Sequence, residues 1–259
     1  MYINKAGVGR SFNKAAENYD SHAGLQQKTA CNLIALVEEH ASDVRIAIDV
    51  GSGTGYGVRL LNNKLPNAMV VAVDIAPAMI QRSAGAHKVC ADANHLPFKH
   101  TCADLIYSSS FVQWCDTPKQ LFVHLAQLLV PGGWFIFSTY GPRTLHELKT
   151  SWAEVDNFPH TLEFPSASKL RKMLAMSDFI VYDCNRSMEI IYYEGVDALL
   201  GNLKGLGAQN KRSDQRQGLT PSSKLRRMKD YYKKHYGVQN LVPASYEVLL
   251  FSARLPHHK

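Results

Sequence analysis

The sequence has few cysteines, and none is spaced for a metal site. The five cysteines form no Cys-x-x-Cys pair and are odd in number, which argues against both a zinc site and a disulfide framework. They stand at positions 31, 90, 102, 115 and 184. The histidines also lack any ligand spacing with acids or cysteines. We therefore expect no bound metal, and we expect the thiols to be buried.

Long hydrophobic runs are also missing. No run of about 18 apolar residues occurs, and residues 1–10 contain no hydrophobic stretch. These absences predict neither a membrane span nor a secretory signal, so we expect a cytoplasmic protein. With 259 residues, of which 46% are hydrophobic, the chain is long enough for one large α/β domain with an elaboration.

Apolar, β-branched runs alternate with helical patterns along the chain. The predicted strands are 44–50, 69–73, 87–91, 104–109, 133–139, 179–192 and 245–254, and the predicted helices lie near 24–40, 54–63, 77–84, 117–130 and 143–155. This alternation predicts an α/β fold with a doubly wound, mostly parallel sheet of seven strands. Residues 131–133, Pro-Gly-Gly, are expected to end the fourth crossover helix and to open the fifth strand.

A glycine-rich turn follows the first predicted strand. Residues 46–57 read Ile-Ala-Ile-Asp-Val-Gly-Ser-Gly-Thr-Gly-Tyr-Gly, so the backbone can approach a ligand closely. The dinucleotide fingerprint needs glycine where Tyr56 stands. The spacing instead resembles the D-x-G-x-G-x-G turn of class I S-adenosylmethionine (SAM)-dependent methyltransferases. On that resemblance the turn supplies the cofactor-binding residues Asp49, Gly51, Ser52, Gly53 and Gly55.

Two more carboxylates follow the next two predicted strands. Asp74 ends the second strand and is placed to accept the ribose hydroxyls of a nucleoside, although it does not by itself distinguish NAD from SAM. Asp92 and Ala93 open a D-A-x-x-L-P-F pattern that recurs in methyltransferases. The resemblance makes Asp92 the partner of the adenine amino group and Ala93 a backbone donor to the ring. Ile75 is counted with these cofactor-binding residues.

The tip of the fourth predicted strand should face the transferred methyl group, because ligands bind at the carboxyl ends of strands in such sheets. The strand starts apolar and becomes hydroxyl-rich and aromatic toward residue 114. Ser108, Ser109 and Gln113 are predicted cofactor contacts, and Trp114 is a predicted substrate contact. The alternative is that Trp114 covers the edge of the core.

Four longer segments resemble the malonyl-[acyl-carrier protein] O-methyltransferases of biotin synthesis. They are residues 10–27, with the F-x-x-A-A-x-x-Y-D-x-x-A-x-L-Q opening, and residues 109–114, 138–148 and 203–208. The resemblance spans nearly the whole chain. It implies a Rossmann-like class I fold with an N-terminal helical lid at 1–42, a SAM-binding core at 43–193, a basic helical insertion at 194–236 and a final strand at 237–259.

The activity that this resemblance implies needs little proton chemistry. A malonyl thioester carries a free carboxylate with a pKa near ~4, which is already ionised and nucleophilic at neutral pH. The enzyme must then position the carboxylate and exclude water. Arg143 is the candidate cation, since its fork suits a carboxylate, although this position departs from the family pattern and could equally be solvated. Tyr19 is the second candidate catalytic residue, with a helix-face anchor as the alternative.

A charge cluster lies in the insertion. Residues 201–236 contain ten Lys or Arg against two acids, whereas the whole chain carries a net charge of +7. Lys204, Arg226 and Arg227 are predicted carrier contacts, because acyl carrier proteins are small and acidic and charge steering speeds their association. RNA, an anionic membrane or a plain solvated helix would also explain the charge. The absence of an RNA-binding motif makes nucleic acid the weaker partner.

Two other functions remain open at this point. The first is a small-molecule C- or O-methyltransferase of quinone or natural-product type, which would use a catalytic base and would not need the basic insertion. The second is a non-catalytic binding module with the same fold, which would use its basic residues for RNA or for a partner protein. Methyl transfer to malonyl-carrier protein, compared with transfer to free phenols, separates these possibilities.

Overall fold

The structure is a computed structural model that describes residues 4–41, 43–208 and 220–257. Its strands are β1 (Ile46–Val50), β2 (Met69–Asp74), β3 (His87–Cys90), β4 (Ala103–Ser108), β5 (Leu129–Tyr140), β6 (Ile180–Tyr193) and β7 (Val242–Arg254). Its α-helices are α1 (Lys5–Ala15), α2 (Tyr19–His22), α3 (Gly24–His40), α4 (Tyr56–Lys64), α5 (Pro77–Arg82), α6 (Pro118–Leu128), α7 (His146–Ala153), α8 (Ala167–Ala175), α9 (Val196–Gly205) and α10 (Ser222–Tyr236).

The strands form one sheet in the order β3-β2-β1-β4-β5-β7-β6. The first five strands are parallel, and β7 runs antiparallel to both of its neighbours. The predicted seven-stranded, mostly parallel sheet is therefore confirmed. The strand order reverses between β1 and β4, and this reversal is where open α/β sheets bind their ligands.

Side chains on the two faces of the sheet build two cores. Ile48 and Ile106 face the core that α6 and α8 cover, whereas Ala47 and Leu105 face the core under α3 and α4. Successive strand residues point to opposite faces, so strands covered on both sides read as continuous apolar runs. This is why the sequence showed β1, β2 and β4 as unbroken hydrophobic stretches.

A third core joins the late helices to the antiparallel strand. Trp152 of α7, Leu199 of α9 and Met228 and Tyr232 of α10 pack together with β7. The Tyr232 hydroxyl donates to the Pro243 carbonyl at 2.6 Å. These apolar residues of α10 bind the helix to the fold, so the outward face of α10 is mainly charged.

The prediction for residues 131–133 is wrong in position. α6 ends at Leu128, and the Pro-Gly-Gly segment lies inside β5. Gly132 N–H donates to the Leu255 carbonyl at 3.0 Å, and Leu255 N–H donates to the Gly133 carbonyl at 2.9 Å. Pairing with the distant end of the chain extends the strand, which local turn signals do not reveal.

Other boundaries and environments also differ from the predictions. The fourth and seventh helices begin later than predicted, at Tyr56 and His146, so Arg143 lies in the connection before α7 rather than in a helix. The helix α8 was not predicted, although Ser166 caps it by accepting from the Lys169 N–H. The thiols are not buried as expected: Cys31 and Cys90 are exposed, and the others are partly exposed.

Candidate active site

A cleft of about 800 Å³, open to solvent, lies at the carboxyl ends of β1, β2 and β4. Predicted site residues from several elements line it together: Tyr19, Gly51, Gly53, Asp74, Ile75, Asp92, Ala93, Ser109 and Trp114. A smaller polar recess continues from it past Asp49 and Ser52.

The glycine turn gives the cleft its floor. Gly51 has φ of +76°, and a Cβ on it would lie 2.5 Å from the Phe111 side chain. Gly55 has φ of +83°, and a Cβ there would meet the Ser83 hydroxyl. Both positions need glycine, because other residues rarely adopt this backbone geometry and no space is left for their side chains.

Asp74 is held by the turn that it faces. Its carboxylate accepts the Gly53 N–H at 3.0 Å and the Ala76 N–H at 2.8 Å. Burial raises the pKa of Asp74, and these hydrogen bonds oppose the rise. A carboxylate has about four acceptor positions, so Asp74 keeps capacity for the hydroxyls of a ribose.

Asp92 lines the cleft and has a partner that the sequence did not indicate. Lys5 Nζ of α1 lies 3.0 Å from Asp92 Oδ2, and the Asn94 N–H donates to Oδ1 at 3.0 Å. Burial alone would raise the pKa of Asp92, but the Asn94 and Lys5 contacts together lower it. Asp92 is therefore an ionised acceptor at neutral pH.

Asp49 is the most perturbed acid of the site. Its side chain is buried beside Gly57, where an added Cβ would lie 2.7 Å from Asp49 Oδ2. Burial, with a smaller effect of nearby Asp74, raises the pKa of Asp49 to about 8. In the ligand-free protein Asp49 is mostly protonated at neutral pH, and a bound cation would favour its ionised form.

The residues of the β4 tip divide into two groups. Ser109 lines the cleft, and Trp114 lines it at the lid side. Ser108 and Gln113 are buried and bonded to the protein: the Ser108 hydroxyl donates to the Val50 carbonyl at 2.8 Å, and the Gln113 amide donates to the Ser110 carbonyl at 2.6 Å. Neither Ser108 nor Gln113 is among the residues that line the cleft. Their predicted cofactor contacts stay predictions, and their visible contacts shape the loop that follows β4.

The first helix covers the cleft. Lys5, Val8 and Phe12 of α1 line it, and the Phe12 ring meets the Trp114 ring edge-on with centroids 5.2 Å apart. The ring of Tyr19 lies 6.3 Å from that of Phe12. Residues at positions 5, 8 and 12 share one face of a helix, so this face of α1 packs over the ligand space.

Two tyrosines belong to the site or adjoin it: Tyr19 lines the cleft, and Tyr140 contacts Gln26 of the polar recess. Burial holds the pKa of Tyr19 well above its usual range, and nearby Tyr140, Asp74 and Asp20 add to the effect. Burial likewise raises the pKa of Tyr140 to about 12, and its hydroxyl accepts from the Gln26 amide at 3.3 Å. At neutral pH both hydroxyls are hydrogen-bond donors and not bases.

The basic residues that were predicted to contact the carrier lie on two different surfaces. Arg226 and Arg227 are exposed on α10, and Lys204 is exposed near the end of α9. The predicted basic residues Lys211, Arg212 and Arg216 lie outside the described residues. Arg143 is exposed, its N–H donates to Glu247 Oε2 at 2.8 Å, and it lines neither the cleft nor the polar recess. The cation role of Arg143 therefore stays a prediction.

Among the described residues, the polar recess contains buried polar atoms that lack a hydrogen-bond partner. The amino-acid part of an adenosyl methyl donor carries polar groups that could bind there. Ser52 Oγ and Gln26 Oε1 are buried, line the polar recess and lack a hydrogen-bond partner within this part of the chain. Buried polar atoms are normally satisfied, so these two atoms are available to the polar groups of a ligand. An adenosyl methyl donor fits, because its ribose and adenine would meet Asp74 and Asp92 and its ammonium would meet the recess of Asp49.

Three residues of the site were missed from the sequence: Lys5, Gln26 and Phe111. Lys5 and Gln26 lie in helices whose distance from the strand tips is invisible in a linear pattern. Phe111 could have been found, since it follows the hydroxyl-rich end of β4 directly.

Nowhere in the described ranges do three or more His, Cys, Asp or Glu side chains form a group suited to a metal ion. The helices of the described part are also too short or too polar to cross a membrane.

Comparison with known proteins supports the class of this site. Residues 48–137 match a family model described as a methyltransferase domain. The bifunctional biotin biosynthesis protein BioHC of Cellvibrio japonicus is 38% identical over 251 residues, which cover 95% of this chain and 49% of that protein. A malonyl-[acyl-carrier protein] O-methyltransferase of Hahella chejuensis is 35% identical over 253 residues, covering 95% of this chain and 89% of that protein. The chain thus spans about half the length of the first relative and most of the second.

Solved structures agree on the fold. The YcgJ protein of Bacillus subtilis matches with a TM-score of 0.63 at 11% identity, covering 86% of this chain and 97% of that chain. An S-adenosylmethionine-dependent methyltransferase of Mesorhizobium loti matches with a TM-score of 0.52 at 19% identity, covering 86% and 95%. At such identities the likeness concerns the fold alone.

Fold, cleft and family match together define a class I SAM-dependent methyltransferase. SAM is therefore the methyl donor. With 35% identity across most of both chains, this chain belongs to the malonyl-[acyl-carrier protein] O-methyltransferase family.

Proposed function

We propose that this enzyme methylates the free carboxylate of a malonyl thioester carried by acyl carrier protein, as a step of biotin synthesis. The proposal follows from the family membership and from one observation in the site. Among the described residues, the cleft and its recess contain no histidine, and their tyrosine hydroxyls have raised pKa values. Asp49, Asp74 and Asp92, which line these spaces, are assigned to the cofactor, so an acceptor that is already ionised and needs no base fits best.

The residues of this chain then act by binding and orientation. SAM supplies, when bound, a methyl carbon on a sulfonium leaving group. Tyr19 donates a hydrogen bond to the acceptor carboxylate, because its raised pKa keeps the hydroxyl protonated. The apolar face of α1, with Val8 and Phe12, excludes water from the cleft. No proton has to move in this reaction, since the carboxylate reacts in its ionised form.

Arg143 stays the proposed cation for the carboxylate despite its position outside the cleft lining. If Arg143 serves the malonyl group, Arg143→Ala raises KM for the malonyl substrate and leaves the SAM affinity unchanged. Its exposed side chain has no ion pair among the described residues, so the substitution should not perturb the fold. Unchanged kinetics in this variant would end the assignment and leave the carboxylate to neutral donors such as Tyr19.

The exposed cations of α10 are the proposed docking surface for the acidic carrier. Lys224 and Lys229 are engaged, by Asp156 at 3.0 Å and Asp197 at 2.5 Å. Arg226 and Arg227 have no carboxylate partner within the described residues, and their charge is available to a partner protein. Met228 and Tyr232 are buried and take no part in this surface, so docking there depends mainly on charge.

The deciding experiment compares methyl acceptors with labelled SAM. Malonyl-carrier protein, malonyl-CoA and a free phenol are each assayed at low and high salt. We expect the carrier substrate to give the highest kcat/KM at low salt and to lose about 10-fold or more at high salt. Faster transfer to the phenol would support the small-molecule methyltransferase, and SAM binding without any transfer would support the non-catalytic module.

A double variant tests whether the positive charges of α10 bind the carrier protein. Arg226→Glu combined with Arg227→Glu should lower kcat/KM for malonyl-carrier protein and change that for malonyl-CoA much less. The matched control is Lys169→Glu with Lys172→Glu on α8, where both side chains are exposed and outside both clefts. An equal loss in the two double variants would show only a general effect of net charge. The proposed α10 docking surface would then be rejected.

A further inference from the structure

A second cleft lies on the opposite side of α1 from the cofactor cleft. It is open to solvent, encloses about 1250 Å³, and is bounded by α1, α2 and the end of α9. Asn4, Gly7, Ser11 and Lys14 of the α1 segment line it, at helical spacings of three and four. The face of α1 at positions 5, 8 and 12 lines the cofactor cleft instead. One helix thus separates the two spaces.

The lining of this second cleft is strongly basic. Arg10, Lys14 and Lys204 line it together with His22, and no acidic side chain of the described residues does so. The three cations are exposed and have no carboxylate partner in the described part of the chain. This contrasts with Lys224 and Lys229, whose ion pairs hold α10 in place.

Two glycines let the cations converge. A Cβ on Gly205 would run into the His22 ring, so the end of α9 lies directly against α2. Gly207 has φ of +69°, and a Cβ there would lie 3.0 Å from the Ser11 carbonyl oxygen of α1. The Asn202 amide lies 3.4 Å from His22 Nδ1 and fixes the same contact. Lys204 is thereby brought to the side of α1 that carries Arg10 and Lys14.

Unpaired cations that converge in a solvent-open cleft suit a phosphate group, which binds arginine forks and lysine charges. We propose that this cleft binds the phosphodiester of the prosthetic arm of the carrier protein. The inference rests on the proposed function, which delivers malonate on such an arm. Asn18 lines the basic cleft, and the next residue, Tyr19, lines the cofactor cleft.

The length of the arm agrees with this placement. An α-helix with its side chains is about 10–12 Å wide, so the two clefts lie roughly one helix apart. Between phosphate and thioester the arm contains pantoate, β-alanine and cysteamine. Three units of about residue length extend to on the order of 10 Å or more. A phosphate held by Arg10 and Lys204 therefore leaves enough arm to bring the malonyl group past Asn18 to Tyr19.

The direct test is binding of 4′-phosphopantetheine and pantetheine, measured by ligand-observed NMR without any methyl transfer. We expect the wild-type protein to prefer the phosphorylated ligand by about fivefold or more. Arg10→Gln combined with Lys204→Gln should abolish the preference. Lys169→Gln on α8 is the control and should keep it. A wild-type protein that does not distinguish the two ligands, or a double variant that still does, overturns the proposal.

A kinetic test separates this site from the methyl-transfer proposal. The double variant should lose kcat/KM with malonyl-carrier protein but not with malonyl-pantetheine, which has no phosphate. An equal loss on both substrates would show that the cations support the fold or the lid, and it would overturn the phosphate site. If the wild-type enzyme methylated neither substrate, the proposed function would fail, and the NMR preference would still decide whether the cleft binds phosphate.

Discussion

Lys5 and Asp92 are 87 residues apart in the chain, and their side chains meet at 3.0 Å in the lining of the cofactor cleft. Their ion pair joins α1 to the segment that follows β3. Both side chains are about one-third exposed, at 35% and 31%. Ion pairs with this exposure contribute up to about 1 kcal/mol, so the contact stabilises the position of α1 over the cleft only weakly.

Lys5→Met should loosen the lid of the ligand-free protein. The loss of up to about 1 kcal/mol corresponds to amide exchange in residues 5–15 that is up to about fivefold faster. Hydrogen exchange read by mass spectrometry measures this directly. Lys14→Met, on the opposite face of α1, is the matched control and should leave the exchange rate unchanged. Equal acceleration in both variants would assign the effect to helix propensity and not to the ion pair.

Asp49→Asn should stabilise the ligand-free protein and weaken SAM binding. Because burial raises the pKa of Asp49 to about 8, the folded state keeps a proton that the unfolded chain releases near pH 4. The free energy of unfolding therefore falls as pH rises from about 4 to about 8. Asparagine cannot ionise, so we expect a gain of ~1 to 3 kcal/mol at pH 8 and little at pH 4.

Urea unfolding at the two pH values and calorimetry with the demethylated product S-adenosylhomocysteine check both halves of this prediction. Asp183→Asn is the control with the opposite expected effect on stability. The hydrogen bond from Ser252, together with His40, lowers the pKa of Asp183, so this carboxylate stabilises the fold above about pH 4. Its loss should destabilise the protein. A stability loss in Asp49→Asn would contradict the idea that Asp49 serves the ligand.

Tyr19→Phe should lower kcat with little change in the affinity for SAM. The hydroxyl is a buried donor, and a hydrogen bond to a charged group contributes about 1.5–3 kcal/mol, which corresponds to roughly 10- to 100-fold in rate. Tyr192→Phe is the control, because Tyr192 is exposed on β6 and lines neither the cleft nor the polar recess. An unaltered kcat in Tyr19→Phe would reduce Tyr19 to a packing residue.

Two glycines of α9 should respond to alanine with opposite signs. A Cβ on Gly205 would clash with the His22 ring, so Gly205→Ala should destabilise the protein by ~1 to 3 kcal/mol. Gly201 has no atom within 4 Å of the added Cβ, and alanine is up to about 1 kcal/mol better in a helix. Gly201→Ala should therefore raise the melting temperature. Equal effects from the two changes would contradict the close contact of α9 with α2.

Much of the cofactor cleft was predictable from local patterns. Buried parallel strands read as apolar runs, and their carboxyl ends share one edge of the sheet, so Asp49, Asp74 and Asp92 had to lie near one another. The glycines of the turn predicted that the backbone approaches a bound ligand closely. The boundaries of β5 were not predictable, because Gly132 pairs with Leu255 at the other end of the chain.

The amino-acid sequence alone determined the seven-strand alternation, the glycine turn and the acids at the strand tips, since each depends on backbone geometry within a few residues. Only the tertiary structure decided that Lys5 pairs with Asp92, that Arg10 and Lys204 line one cleft, and that burial raises the pKa of Asp49 to about 8. These features arise where distant segments pack and exclude water, and no local pattern encodes which side chains meet there.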